Sequence, residues 1–209
     1  MRRPQGSLSI ISWNINSVKT KIEKNHVESV LNVYDIICLN EIKTKLSVSF
    51  PGYVSYISYD KVNGNRGGTC VLIKDYLKRY VFDMDVSIAD QVWFRIKCIP
   101  GVLFGACYVP PSDSEYFSYA QFSSIQEKIK SSEYSNGCII IGDMNARLGL
   151  SVCELPGRIN LTKYSYPSIP DPIITPNDNA TAMLGICADE NMLVIDNLKT
   201  PDMHFQAKR

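Results

Sequence analysis

Histidine is almost missing: two in 209 residues. That leaves little from which to build a zinc site of His and Cys ligands. The seven cysteines, at 38, 70, 98, 107, 138, 153 and 187, include no Cys-x-x-Cys pair. An odd, scattered set excludes a disulfide framework and reads as a reduced, intracellular protein of nucleus or cytoplasm. Five of them stand in apolar runs, as small buried hydrophobes do. Charge of one sign is lacking too. Lys plus Arg is 22 and Asp plus Glu is 21, a formal net charge of +1. No global field draws the chain to a polyanion, so any such site must be local. No apolar run nears membrane-spanning length, and no membrane partner is expected. Met1-Arg2-Arg3-Pro4-Gln5-Gly6 has no long apolar stretch behind it and does not read as a signal peptide. Internal repeats and low-complexity linkers are absent, and the length suits a single domain over 1–209 with a sizeable core.

What is present centres on the run from Cys138 to Gly149. Its first half, Cys138-Ile139-Ile140-Ile141, has the composition of a buried strand. Gly142 follows, where backbone or ligand can come close. Asp143 and Asn145 then leave the strand end one residue apart. A carboxylate and an amide there suit the handling of a water or a metal-bound phosphate. An Asx-rich turn bonding its own backbone fits the same three residues equally well.

Taken in order, the chain opens with a strand at 8–13. Ser17 can cap a helix whose apolar positions run to Val33. Asp35 to Leu39 is a second buried strand. Strand, helix, strand argues for an α/β protein with a βαβ-like start. In such sheets ligands gather beyond the strand ends, where Asn14 and Glu41 stand. Further strands are predicted over 53–59, 69–73, 80–86, 91–99 and 102–109. Asn63 to Gly68 reads as a loop. Alternating Val92, Phe94, Ile96 and Cys98 predict a strand with one polar face. Residues 112–130 read as a loop and then a helix. Five prolines make 154–176 a long loop, 179–191 reads as a helix and 192–195 as a short strand.

Four predicted strand ends thus carry polar residues: Asn14, Glu41, Tyr108, and Asp143 with Asn145. Singly, each has a plain reading as cap, solvated charge or half-buried ring. Jointly and in this order they are harder to set aside. Ser12-Trp13-Asn14-Ile15-Asn16, Leu39-Asn40-Glu41, Arg66-Gly67-Gly68-Thr69, Cys107-Tyr108-Val109-Pro110-Pro111 and Gly142-Asp143-Met144-Asn145 resemble the serial motifs of the endonuclease/exonuclease/phosphatase superfamily. Asn14-Ile15-Asn16 and the extension through Ala146-Arg147-Leu148-Gly149 are most similar to the endonuclease domain of non-LTR (LINE-type) retrotransposons. The resemblance spans about residues 8–198.

It implies a four-layer α/β sandwich of the DNase I-like kind, two mostly antiparallel sheets flanked by helices. It implies Mg²⁺-dependent hydrolysis of DNA, with Mn²⁺ as an alternative ion. Glu41 would be the principal metal ligand, supported by Asn14. Asp143 would activate water, Asn145 would hold the phosphate, and Tyr108 would donate to a phosphate oxygen as charge develops. Asn16, Arg66 and Arg147 would contact nucleic acid. Asn16 stands where the apurinic enzymes have an acidic residue, which matches the retrotransposon branch.

Family members continue past the equivalent of Leu198 into further strands and an adjacent Asp-His pair. Asp202-Met203-His204 is not that pair. The expectation is therefore a C-terminally truncated domain lacking the final strands, weak or inactive as a nuclease. Two other readings stand beside it: a non-catalytic remnant that binds nucleic acid or protein, and a phosphodiesterase or phosphatase acting on a non-DNA substrate. The expected partners are DNA and a reverse transcriptase domain in a longer polyprotein, with the chain itself a monomer.

Overall fold

The computed structural model describes residues 8–22, 31–45, 48–62, 66–131, 137–148, 175–190 and 192. These fall into two compact units interleaved along the chain. The first takes in 1–108 and 133–143, the second 109–132 and 144–203.

The first unit is built on two four-stranded sheets. One has the order β1-β2-β4-β3, with β1 at Ile10–Asn14, β2 at Ile36–Asn40, β3 at Tyr53–Ser58 and β4 at Thr69–Lys74. The other has the order β5-β6-β7-β8, with β5 at Val81–Asp85, β6 at Gln91–Ile96, β7 at Ile99–Tyr108 and β8 at Gly137–Asp143. Each sheet has two antiparallel pairs and one parallel pair: β1 with β2, and β7 with β8. The α/β sandwich and the βαβ-like start are both present.

Side-chain alternation explains how the sheets stack. Ile36 and Cys38 of β2 pack with Val71 and Ile73 of β4 against Val92, Phe94, Phe104 and Ala106 of the second sheet. The intervening Ile37, Leu39, Cys70 and Leu72 face the other way. They pack under Ile15, Val18, Leu31 and Tyr34. Val18 opens α1, Val18–Ile22. The rest of the helix predicted to Val33 lies mostly outside the described residues.

Strand β6 departs from its sequence pattern. The face opposite Val92, Phe94 and Ile96 is not left to solvent: Trp93 is fully buried and Gln91 nearly so. The indole N–H donates to the Gln91 side-chain oxygen at 2.9 Å, satisfying both polar groups. Gly105 lies directly across the ladder, and a Cβ there would come within 2.3 Å of the Trp93 ring. Alternation finds which residues share a face, but only a partner without a side chain makes room for an indole on the second one. Cys98 lies beyond the strand and is exposed.

One hydroxyl ties the first unit's outer layer together. Tyr53 Oη donates to the carbonyls of Leu31 and Tyr34, at 3.1 and 2.6 Å. Tyr53→Phe would take the hydroxyl from both carbonyls, with the Leu31 carbonyl keeping the Tyr34 N–H at 3.0 Å. The expected loss is about 1–2 kcal/mol in urea denaturation, and an unchanged midpoint would refute it.

In the second unit, α2 spans Tyr119–Lys130 and α3 spans Asp178–Asp189. Ser118 and Gln121 form a capping box at the start of α2. The Asn177 side chain caps α3 by accepting from Ala180 N–H. Gln126 of α2 donates to Asp189 and Glu190, and Lys130 pairs with Glu190 at 3.4 Å. All but Met192 of the strand predicted at 192–195, nearly all of the loop at 154–176, and Asp202 and His204 lie outside the described residues. Among the described residues no helix is long and apolar enough to cross a membrane.

Candidate active site

Parallel pairing brings polar strand ends together. In the first sheet Asn14 is in register with Asn40, and Glu41 follows directly. In the second Tyr108 is in register with Asp143. The Asn14 amide joins the two sheets: its Nδ2 donates to Glu41 Oε1 at 2.8 Å and to Asp143 Oδ2 at 2.7 Å. An amide nitrogen has two protons, so one side chain holds both carboxylates. Tyr108 Oη donates to the same Glu41 Oε1 at 3.3 Å.

A cation completes the group. Lys43 Nζ stands 3.0 Å from Glu41 Oε2 and donates to Asn16 Oδ1. Asn16 N–H in turn donates to Asn14 Oδ1 at 3.1 Å. The two segments carrying these groups, one after β1 and one after β2, are wound tightly, since Asn16, Ser17, Glu41 and Lys43 all have left-handed backbone, φ 44°, 84°, 53° and 51°. Non-glycine residues rarely adopt that conformation and tend to do so at functional sites.

The charges settle accordingly. Burial pushes the Glu41 carboxyl up. The Asn14 and Lys43 hydrogen bonds, the Lys43 charge and the Tyr108 hydroxyl outweigh burial and hold it below the ordinary range. Tyr108 goes the other way. Burial, then the charges of Glu41, Asp143 and Asp90, push its phenol well up, so it remains a donor at neutral pH.

Behind this front lies a buried polar network. Asn40 and Thr69 are fully buried and Asp90 nearly so. Asn40 Nδ2 donates to Thr69 Oγ1 and to the Cys107 carbonyl, at 3.1 and 3.2 Å. Asn40 Oδ1 accepts the Asp143 N–H at 3.2 Å. Thr69 Oγ1 donates to the Asp90 carbonyl at 2.8 Å. The Asp90 side chain accepts Gly68 N–H at 2.7 Å.

Burial, with a smaller push from Asp60, raises the Asp90 carboxyl from 3.8 to about 6, and the Gly68 N–H only partly offsets this. A raised carboxyl holds its proton more tightly folded than unfolded. Its contribution to stability is complete below about pH 3.8 and is lost as pH rises through about 6. That displacement is worth about 3 kcal/mol. Asp90→Asn, which has no charge to bury, is expected to gain up to that amount over the parent between about pH 4 and 7. Urea denaturation across that range would expose the error if the two curves stayed parallel.

Of the residues singled out in the sequence, Asn14, Glu41, Tyr108 and Asp143 are hydrogen-bonded together, with Asn16 attached directly to Asn14 and through Lys43 to Glu41. Arg66 is exposed and precedes Gly67, whose carbonyl accepts the Lys43 N–H. Asn145 and Arg147 belong to the second unit. There Asn145 Nδ2 donates to the Val109 carbonyl at 2.8 Å, and Arg147 N–H donates to Asn177 Oδ1 at 2.9 Å.

Sequence reasoning passed over Lys43, Asp90 and the role of Asn40. Lys43 had one weak signal, its place two residues after a candidate ligand. Asp90, in Ala89-Asp90-Gln91, had none beyond that of an ordinary turn.

The donor set suits a hard divalent cation. Among the described residues no three of His, Cys, Asp and Glu form a metal-holding group. Glu41 and the Asn14 amide oxygen are both oxygen donors, and Mg²⁺ commonly takes one or two carboxylates and keeps several waters.

Two mixed sheets stacked face to face, with polar residues at the carboxyl ends of both parallel pairs, define a DNase I-like α/β sandwich. The chain belongs to the Endonuclease/Exonuclease/phosphatase family, whose model matches residues 11–181. No curated protein matches the chain. Among solved structures it is similar to an AP endonuclease from Archaeoglobus fulgidus, at 19% identity and a TM-score of 0.57, covering 86% of this chain and 69% of that one. It is similar to the APE2 catalytic domain of Xenopus laevis, at 17% identity and a TM-score of 0.55, covering 85% and 67%. It is also similar to the 3′ phosphatase NExo of Neisseria bound to a product DNA hairpin, at 18% identity and a TM-score of 0.51, covering 68% and 60%. At these identities the likeness is one of fold.

Proposed function

We propose that the chain hydrolyses phosphodiester bonds in DNA with the help of Mg²⁺, as an endonuclease of the retrotransposon type. The observation that carries this is the Asn14 amide joining the Glu41 and Asp143 carboxylates. Two carboxylates so close, with a protonated phenol beside them, divide the work of phosphoester hydrolysis. Mg²⁺ bound at Glu41 would supply Lewis-acid stabilisation of charge on the phosphate. Asp143 orients the attacking water and takes its proton. Asn14 fixes the spacing of the two carboxylates. Tyr108 donates to the phosphate oxygen that gains charge.

Family membership supports hydrolysis of a phosphoester, and the NExo structure holds a DNA product. The retrotransposon branch rests on Asn14-Ile15-Asn16 and on the run from Gly142 to Gly149. On that reading a reverse transcriptase domain accompanies this one in a longer polyprotein. With a net charge of +1, DNA contact depends on local cations such as Lys43, Arg66 and Arg147. Binding should then weaken with salt at a shallow slope of about 0.9 per phosphate neutralised.

Metal binding gives the direct test. Glu41→Gln keeps the shape of the side chain and removes its charge. It is expected to weaken Mg²⁺ binding at least ~10-fold by isothermal titration calorimetry, since a neutral amide is a far poorer ligand for a hard cation. Equal affinity in the two proteins would move the metal off Glu41.

A further inference from the structure

We infer that Asp90 is a positioning residue of this site: its carboxylate pins the Gly67-Gly68 turn, and that turn sets the backbone of Glu41 to Lys43. The inference rests on the proposed function for its consequence, though not for its geometry. Gly68 N–H donates to Asp90 Oδ1 at 2.7 Å. The turn's two carbonyls then face the metal-ligand loop. Ile42 N–H donates to Gly68 O at 3.2 Å, and Lys43 N–H donates to Gly67 O at 3.0 Å. Those two bonds bracket the segment in which Glu41 and Lys43 hold left-handed backbone. Asp90 also reaches the other sheet's contribution, because its carbonyl accepts the Tyr108 N–H at 2.9 Å. Gly67 lies between the two: a Cβ there would stand 3.1 Å from the Tyr108 ring and 3.2 Å from Asp90 Oδ1. One residue thus fixes the segment holding Glu41 and the strand end holding Tyr108.

Two features set Asp90 apart from an ordinary turn residue. It is a buried carboxylate held by a neutral backbone donor, with Asp60 adding repulsion. It also has left-handed backbone, φ 60°. Both weaken the fold, and local rules broken at a cost in stability collect where function demands it.

The test compares three variants with the parent. Asp90→Gly deletes the carboxylate and tolerates the backbone conformation. Asp90→Asn keeps an acceptor for Gly68 N–H. Asp35→Ala is the structural control: Asp35 precedes β2 at the end away from Glu41 and holds Ser9 and Tyr76.

Amide hydrogen exchange in the metal-free proteins reads the turn without metal or DNA. Asp90→Gly should speed exchange of Ile42 and Lys43 N–H at least tenfold, Asp90→Asn should restore protection, and Asp35→Ala should leave those amides alone. Mg²⁺ titrated alone should bind Asp90→Gly at least tenfold more weakly than the parent, and Asp90→Asn and Asp35→Ala within about threefold. Unchanged protection in a folded Asp90→Gly would overturn the inference. If Asp90→Gly does not fold, Asp90→Ser, whose hydroxyl is shorter by one bond, is judged by the same criteria. Failure of both to fold would assign Asp90 to stability alone and overturn it as well. A parent that binds no Mg²⁺ would instead sink the proposed function, leaving the exchange result to decide the role of Asp90.

Discussion

Asp143→Ala is expected to slow Mg²⁺-dependent cleavage of DNA by ~10²–10⁴-fold, the usual effect of removing a general base. The measurement is a single-turnover assay on an end-labelled duplex with protein in excess, which registers slow chemistry that steady-state assays miss. The fold should survive. What β8 needs from position 143 is its backbone N–H on Asn40 Oδ1, and alanine keeps that bond. Asn14 would lose one of its two carboxylate partners and keep the other. The variant should therefore melt within a few degrees of the parent and bind Mg²⁺ nearly as well through Glu41. A rate within threefold of the parent's would remove Asp143 from the chemistry. A parent that binds DNA but does not cut it would favour a binding module over a nuclease.

Gly142→Ala should be the most damaging single substitution to stability, at about 3–5 kcal/mol. Two effects combine. Gly142 has φ 143°, a conformation that costs an L-residue about 1–3 kcal/mol. An added Cβ would also lie 1.9 Å from the Cys107 carbonyl oxygen. That neighbour is backbone, in register with Gly142 in the β7–β8 ladder, so no change of rotamer relieves the clash. Strand β8 would have to shift, carrying the proposed base Asp143 with it, so cleavage should slow together with the loss of stability. Against a typical total of about 5–15 kcal/mol such a loss is severe. Urea denaturation of parent and variant provides the check, and a difference under about 1 kcal/mol would show that β8 can yield at this point.

The sequence by itself determined the strands of the two sheets and the polar residues at their ends. Those signals are local. A β-branched run such as Ile36-Ile37, fully buried in β2, cannot be solvated cheaply, and the polar residues that close such runs mark the strand ends. Asn14, Glu41, Tyr108 and Asp143 were legible for that reason, and their order along the chain gave the family.

Only the tertiary structure decided what those ends do to one another. Asn14 and Asp143 are 129 positions apart, and nothing local foretells that one amide would bond both Asp143 and Glu41. That depends on two parallel pairings and their registers. Lys43 was illegible because a lysine in a loop is usually solvated, and only the distance to Glu41 makes it a partner. Asp90 was illegible because its carboxylate acts on a turn 22 positions earlier. The buried second face of β6 was missed for a related reason: Trp93 fits there because Gly105, on another strand, has no side chain. In each case the deciding contact is long-range, and a pattern read along the chain carries no information about it.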